Sequence, residues 1–337
     1  MKKIAINGFG RIGRAAFKIA LTKRDIDVVV INDLTDTKTL AHLLQYDTVY
    51  GEFDQKVLAT KDGIKVGGVL FPVYQEKDPT KLPWKKLDVD VVLECTGFFT
   101  DKKGASGHLT AGAKRVVISA PAKDGTVQTI VFGTKYTDTC IKNNKCDEVV
   151  SMASCTTNCI SPIIQALESK FGVEKAMMTT VHSYTSSQKI VDSPDKDLRR
   201  ARAGAQNIIP TSTGAAMTTT KTIPSLKDLF DGIALRVPTI CGSIADITAV
   251  LKRKNVTVKQ INDEFKNLAK NPLYKKVLTV TTKPLVSSDY IGNPYSAIVD
   301  LEFTRVVGGN LVKVLAWYDN EWGYSNRLVE MAQSLAM

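Results

Sequence analysis

Ile4-Ala5-Ile6-Asn7-Gly8-Phe9-Gly10-Arg11-Ile12-Gly13 is the stretch on which the fold turns. A short β-branched run, Ile4 to Ile6, leads into Gly-x-Gly-x-x-Gly, and a helical pattern from Arg11 to Lys23 follows. Strand, glycine turn and helix in that order are what a dinucleotide site requires. The first glycine permits the tight turn, the second lets the backbone approach a pyrophosphate, and the third lets helix and strand pack closely. The helix N-terminus then offers N–H groups and a positive dipole end to the anion. Asp33 follows the next apolar run, Ile26 to Ile31, and stands twenty residues past Gly13. A carboxylate there accepts from a ribose 2′-hydroxyl and repels a 2′-phosphate, so the spacing predicts NAD over NADP. The plainer alternative is a glycine turn kept for packing beside a surface aspartate.

Outward from this unit the pattern repeats. Val89 to Leu93 and Val116 to Ile118 are further apolar strands, each after a polar or helical segment. Near-continuous apolar strands alternating with helices predict a parallel sheet covered on both faces. Asp-Gly and Gly-Gly pairs between residues 62 and 68 predict the turns of an inserted hairpin. Past Ser154 the character changes. A helix runs through Ile163, Ile164 and Leu167 to Phe171 and stops at Gly172. Longer strands of mixed polarity follow at Ala176 to His182, Ile233 to Pro238, Ile244 to Leu251, Ala297 to Phe303 and Leu311 to Tyr318. They predict a mostly antiparallel sheet with one covered face, and Gly323 to Met337 reads as a terminal helix. The fold class is therefore α/β, a Rossmann-type doubly wound parallel sheet plus a second α+β domain with a mostly antiparallel sheet, taken as the catalytic domain. The expected boundaries are 1–153 for the NAD-binding domain, with a C-terminal helix 320–337 packing back on it, and 154–319 for the catalytic domain.

The bulk numbers agree with two ordinary globular domains: 337 residues, 44% hydrophobic and 23% charged. The formal charge of +11 favours anionic partners. The densest basic runs, Lys252-Arg253-Lys254 and Lys275-Lys276, are short and not interleaved with aromatics, so metabolites are expected rather than nucleic acid. Six cysteines are too sparse for a disulfide scaffold, no apolar run approaches a membrane span, and the N-terminus does not read as a signal peptide. A reducing cytoplasm is the expectation.

Ser154-Cys155-Thr156-Thr157-Asn158-Cys159 sits where the chain enters a helix. Ser154 or a neighbour can cap it. A cysteine on the first turn feels the dipole, which predicts a lowered thiol pKa. Of three histidines, His42, His108 and His182, the last ends a strong strand signal, a natural place to present a base. From spacing alone, a buried structural cysteine and an unrelated histidine fit as well. Cys159 lies one turn on from Cys155 and reads as structural, since Cys-x-x-x-Cys lacks metal-ligand spacing; no metal site is expected.

Together these residues closely resemble the glyceraldehyde-3-phosphate dehydrogenase family, over essentially the whole chain. The resemblance runs through Ile-Asn-Gly-Phe-Gly-Arg-Ile-Gly-Arg at 6–14, Asn32-Asp33, Glu-Cys-Thr-Gly at 94–97 and Ile-Ser-Ala-Pro-Ala at 118–122. It continues with Ala-Ser-Cys-Thr-Thr-Asn-Cys at 153–159, its most specific piece. Asp-Leu-Arg-Arg-Ala-Arg at 197–202, Ser-Thr-Gly-Ala-Ala at 212–216, Leu-Arg-Val-Pro-Thr at 235–239 and Trp-Tyr-Asp-Asn-Glu-Trp-Gly-Tyr-Ser-Asn-Arg at 317–327 complete it.

The resemblance implies a homotetrameric, glycolytic, NAD-dependent enzyme. It would convert glyceraldehyde 3-phosphate and inorganic phosphate to 1,3-bisphosphoglycerate through a thiohemiacetal and a thioester on Cys155, with His182 as base. Thr185 and Arg236 match the positions for the substrate's phosphate. Ser154, Thr156, Thr213 and Gly214 match those for the attacking phosphate. Asn320 matches the residue that holds the nicotinamide carboxamide, and Arg11, Ile12, Asp33, Lys77 and Ser119 match other cofactor contacts beside Gly8, Gly10 and Gly13. The polar stretch from Thr185 to about Gly214 resembles a loop that lies at a subunit interface in relatives, and Pro194 matches the proline of NAD-preferring relatives. An erythrose-4-phosphate dehydrogenase on the same framework, and a secondary surface or nucleic-acid-binding role, are the alternatives. Departures stand at Val131 to Tyr136, Ser161, Ser183, Met217 and Cys241 to Asp246; none removes an implied catalytic group.

Overall fold

The structure is a computed structural model that describes residues 1–335. The chain divides into two compact units. One comprises residues 1–130, 140–153 and the chain from Ser325 onward; the other comprises residues 131–139 and 154–324.

The first unit is built on a nine-stranded sheet. Its strands run, edge to edge, Gln128–Thr129, Val149–Ser151, Arg115–Ile118, Val91–Glu94, Lys2–Asn7, Ile26–Asn32, Val69–Tyr74, Gly63–Val66 and Val57–Ala59. The first seven pair in parallel; the hairpin strands at the far edge are antiparallel. Ile4, Ala5, Ile6, Val91, Val92 and Leu93 have no exposed surface, which is why these strands carry no polar alternation. The inserted hairpin is therefore not a separate flap. Val69–Tyr74 joins the parallel sheet through the pairs Ile31–Val73 and Asn32–Tyr74. The first helix, Arg11–Ala20, buries Ala15, Ala16, Phe17 and Ile19. Phe17 is held edge-on between Phe9 and Phe71, with ring centroids 5.4 and 4.8 Å away. The helix ends three residues before the expected Lys23. There the N–H groups of Thr22 and Lys23 reach back only three residues, to Ile19 and Ala20, and the Thr22 hydroxyl adds a bond to the Ile19 carbonyl. The terminal helix spans Trp322–Leu335; the last two residues of the expected helix, Ala336 and Met337, lie outside the described residues.

The second unit carries a seven-stranded sheet ordered Ile209–Ser212, Phe230–Val237, Val173–Ser183, Ser243–Leu251, Leu311–Tyr318, Ala297–Val307 and Leu278–Thr281. Two neighbouring pairs are parallel, 173–183 with 230–237 and 278–281 with 297–307; the rest are antiparallel. Alternation is clean along Ser243–Leu251, where every second side chain is buried. The long helix Cys155–Phe171 places Ile160, Ile163, Ile164 and Leu167 in one core with Ala245, Ile247, Val312 and Val314. Sequence reading missed the helices Ala215–Thr222 and Val258–Leu268. The first is a threonine run with weak helix preference, and tertiary packing of Ala215 and Ala216 overrides it.

Cys140 and Cys146 are joined as a disulfide, a single bridge that the sequence reading did not foresee, and Cys95, Cys155, Cys159 and Cys241 are free. The end of helix Lys135–Lys142 turns back through Asn144, whose φ of +49° is left-handed, so residues six apart in sequence meet.

Candidate active site

In the second unit the chain enters its long helix at Ser154, whose hydroxyl accepts from the Thr157 N–H at 3.1 Å. Cys155 is the first helical residue. His182 lies near the end of strand Val173–Ser183 and is register partner to Arg236 on the neighbouring strand. The thiol of Cys155 is 3.4 Å from His182 Nε2. On the other side of the ring, Nδ1 lies 2.7 Å from the Ser183 carbonyl and 2.5 Å from Arg236 Nη1, which also reaches that carbonyl at 3.0 Å. Tyr318 is fully buried and ties helix to sheet: its hydroxyl bonds those of Thr156 at 3.0 Å and Thr180 at 2.8 Å.

The electrostatics correct one expectation. Burial raises the Cys155 thiol pKa, and this outweighs the lowering by Arg236 and by hydrogen bonds from Thr156 and the helix start. The thiol is therefore not lowered by its place on the first turn alone. Burial, with the Arg236 charge beside it, brings His182 down to about 3, so the imidazole is neutral. Cys159, one turn on, is wholly buried and held well above the ordinary range, which agrees with a structural role. Arg236 Nε has no hydrogen-bond partner among the described residues.

The remaining expected residues of the second unit have hydrogen-bond partners outside this cluster. The Thr185 hydroxyl pairs with those of Ser187 and Gln188's amide oxygen. The Thr213 hydroxyl accepts from the Ala215 N–H, and Gly214 caps the N-terminus of helix Ala215–Thr222, where a Cβ would meet only the Thr218 hydroxyl, at 4.0 Å. Asn320 accepts through Oδ1 from the Gly242 N–H and the Ser243 hydroxyl, which leaves its amide nitrogen as the end free to donate.

In the first unit the glycine turn borders a cavity of about 860 Å³ lined by Gly8, Gly10, Asp33, Lys77, Cys95 and Phe98 among others. The three glycines differ as the motif requires. Gly8 has φ +92°, and a Cβ on it would meet the Thr96 backbone at 2.6 Å; a Cβ on Gly13 would meet the Gly8 carbonyl at 2.1 Å; Gly10 faces open space. Asp33 accepts from the Phe9 N–H at 2.6 Å and the Thr35 N–H at 2.9 Å while lining the cavity. Room at Gly10, a helix start with no side-chain cap and a carboxylate at the rim fit a dinucleotide. Ile12, Gly13 and Ser119 do not line the cavity. Arg11 sends its guanidinium to Asp47 at 2.6 Å, so its part in a cofactor site is left to its backbone.

A buried network below this turn escaped sequence reading. Glu94 accepts from Asn7 Nδ2 at 2.5 Å, His108 Nε2 at 3.0 Å, and the N–H and hydroxyl of Thr96. Trp84 donates to His108 Nδ1 at 3.0 Å, which fixes the proton of that ring on Nε2. Asn7 in turn accepts from Asn32 at 2.7 Å. The signal was an acid closing an apolar strand, where burial demands partners.

Comparison with known proteins agrees with both halves. Residues 2–102 match the family description "Glyceraldehyde 3-phosphate dehydrogenase, NAD binding domain", and residues 154–320 match "Glyceraldehyde 3-phosphate dehydrogenase, C-terminal domain". The chain is 51% identical over 332 residues to glyceraldehyde-3-phosphate dehydrogenase 1 of Bacillus cereus, covering 98% of each. It is 49% identical to the glyceraldehyde-3-phosphate dehydrogenase of Borreliella burgdorferi, covering 99% of each, and 49% identical to that of Geobacillus stearothermophilus, covering 99% of this chain and 98% of the relative. With its NAD-binding unit and its cysteine–histidine–arginine unit both matched across nearly the full length, the chain belongs to the glyceraldehyde-3-phosphate dehydrogenase family.

Proposed function

We propose that this chain oxidises glyceraldehyde 3-phosphate to 1,3-bisphosphoglycerate in glycolysis, with reduction of NAD and uptake of inorganic phosphate. The observation that carries the reading is the 3.4 Å approach of the Cys155 thiol to His182 Nε2 at a capped helix start. A thiol beside a neutral imidazole is an activated-nucleophile pair. As Cys155 Sγ bonds to the aldehyde carbon, His182 Nε2 takes up the thiol proton, giving a thiohemiacetal. Bound NAD supplies the hydride acceptor for the oxidation. The thioester left on Cys155 is cleaved by phosphate, which carries the acyl group away and restores the thiol. Arg236 and Thr185 bind the substrate's phosphate; the guanidinium suits paired oxygens. Ser154, Thr156, Thr213 and Gly214 form the second anion site. The Thr156 hydroxyl is engaged by Tyr318, so its backbone N–H is the group to offer.

For the cofactor, Gly8, Gly10, Gly13 and the backbone of Arg11 and Ile12 form the pyrophosphate turn. Asp33 takes the ribose, Lys77 and Ser119 add contacts, and Asn320 donates to the carboxamide. The domains are 1–153 with the terminal helix, and 154–319. A homotetramer is supported by exposed apolar side chains in the 185–214 stretch: Ile190, Val191, Leu198 and Ile208 are 68–90% exposed and call for a partner. The cytoplasm is the proposed location; no described helix is long and apolar enough to cross a membrane. None of the relatives named above is an erythrose-4-phosphate dehydrogenase.

The test follows NADH absorbance with glyceraldehyde 3-phosphate and NAD, with and without phosphate, before and after a thiol alkylator whose site is mapped by mass. Phosphate-dependent turnover lost on alkylation of Cys155 is expected. Turnover indifferent to phosphate means a hydrolytic relative, and none at all on NAD-binding protein refutes the activity.

A further inference from the structure

Two short contacts to Nδ1 at the back of His182 cannot both be hydrogen bonds. Nδ1 has a single in-plane position, occupied either by a proton or by a lone pair. It lies 2.7 Å from the Ser183 carbonyl, which only accepts, and 2.5 Å from Arg236 Nη1, which only donates. A proton on Nδ1 satisfies the carbonyl and turns one N–H against another. A bare Nδ1 satisfies the guanidinium, whose second N–H then bridges to the Ser183 carbonyl at 3.0 Å. Which arrangement holds decides the far side of the ring. With Nδ1 bare, the proton sits on Nε2 and points at Cys155, 3.4 Å away; such a ring can donate to a thiolate but cannot take a proton from a thiol. With Nδ1 protonated, Nε2 is bare and is a base.

We propose that Arg236 sets the tautomer of His182, and that the substrate's phosphate, by drawing the guanidinium onto itself, moves the ring proton to Nδ1 and makes Nε2 a base. The inference rests on the proposed phosphate role of Arg236. Because the imidazole is neutral, with its pKa brought down to about 3, one nitrogen holds the only proton and the two arrangements exclude each other. Arg236 is half-buried and its Nε is unpartnered among the described residues, so it has a donor to spare. A phosphate dianion offers the guanidinium paired oxygens in a bidentate geometry and a full opposite charge, neither of which the neutral Nδ1 supplies. Arg200, held by Thr211, adds a second positive charge facing Arg236. The other groups around the ring are the Cys155 thiol and Tyr318, whose ring centroid is 6.0 Å away and whose hydroxyl is taken by two threonines. Proton movement needs no outside reactant: Nε2 gives one proton up and Nδ1 gains one, through solvent. An aldehyde without phosphate would leave Arg236 on Nδ1, so it should lose kcat at saturation as well as affinity. Arg236 thus acts on proton transfer as a positioning residue, in addition to binding.

The tautomer is read directly by nitrogen NMR of 15N-histidine protein, under magic-angle spinning so that size is no obstacle. Only three histidines contribute, and the His182 signals are those lost in His182→Asn. The free protein should show a bare Nδ1 and a protonated Nε2. Saturation with sn-glycerol 3-phosphate, which has the phosphate and no aldehyde, should exchange the two. Arg236→Ala should show the protonated Nδ1 with no ligand present and should not respond to it. A free protein that already carries its proton on Nδ1, as Arg236→Ala does, overturns the proposal. A bare Nδ1 that persists at saturation overturns the phosphate switch. If glycerol 3-phosphate does not bind, the phosphate role itself fails, while the ligand-free comparison with Arg236→Ala still decides whether Arg236 sets the tautomer. If NADH formation remains phosphate-dependent and alkylation-sensitive, the enzyme reading stands whichever way the tautomer falls.

Discussion

Replacing Asp33 by alanine separates two jobs that one carboxylate performs. Its oxygens accept from the Phe9 and Thr35 N–H groups at 2.6 and 2.9 Å, which fixes the glycine turn, and the same carboxylate faces the cavity. For NAD the loss has two parts. A charge-assisted bond to the ribose is worth about 1.5–3 kcal/mol, and orphaning the N–H of Phe9 loosens the turn by about 1 kcal/mol more. The total of about 2.5–4 kcal/mol weakens NAD by about 70- to 900-fold. NADP suffers the same loosening but is relieved of like charges facing its 2′-phosphate. Near a surface that repulsion is about 4 kcal/mol per unit charge pair at contact, less after salt screening. NADP affinity should therefore hold or rise, and the preference for NAD should shrink by at least about 70-fold. Calorimetric titration of both cofactors, at one physiological salt concentration, measures this. If both weaken by the same factor, Asp33 only shapes the turn and the ribose reading is wrong. If NAD weakens less than about fivefold, neither contribution has the size argued.

Other outcomes follow from the second unit and from the buried network. Cys155→Ser should end NADH formation and leave NAD affinity within about twofold; surviving turnover removes Cys155 from the nucleophile role. His182 has its pKa brought down from 6.5 to about 3, so the unfolded chain takes up its proton before the folded one does. The stability tied to this residue is complete above pH 6.5 and lost as pH falls towards 3, at about 1.4 kcal/mol per unit. His182→Asn should flatten that part of the acid denaturation curve, and curves parallel to the parent protein's would contradict the burial argument. Tyr318→Phe strips a partner from Thr156 and Thr180 and should cost about 1–3 kcal/mol in denaturant unfolding; a loss below about 0.5 kcal/mol means the hydroxyls re-pair freely. Glu94→Gln presents an N–H₂ to at least one donor among Asn7, His108 and Thr96, and should cost about 2–4 kcal/mol. Unchanged stability would show that the network tolerates a neutral amide.

Both sheets were legible in the sequence for a physical reason: burial on two faces removes polar residues, and burial on one face imposes a period of two. Leu311–Tyr318 matches its expected bounds, and the neighbouring strands differ by a few residues at their ends. Ser154 and Gly172 marked the long helix because caps are local chemistry. Helices Ala215–Thr222 and Val258–Leu268 were not legible; the first relies on tertiary packing, and the second buries only Ile261 and Phe265 in a polar surround. At the candidate site, spacing could nominate Cys155 and His182 but could not bring them together, since strand pairing sets that distance. The same holds for Arg236, whose register with His182 is a property of the sheet. The expected lowering of the thiol failed because a helix dipole is a local rule, whereas burial is decided by everything packed around it. Glu94 and His108 show the limit most clearly: fourteen residues apart in sequence, they meet at 3.0 Å because the chain folds over between them.

The bond from Trp84 to His108 also makes the molecule observable by its own light. Of three tryptophans, Trp84 alone belongs to the first unit, fully buried with its indole N–H engaged. Trp317 and Trp322 belong to the second, where Trp317 stacks on Tyr290 at 5.2 Å and donates to Asp300. Emission from a Trp84→Phe protein therefore reports on the second unit alone, and the difference from the parent spectrum isolates the first. Melting followed at those two signals would show whether the nucleotide-binding half and the cysteine-bearing half come apart in one step or in two.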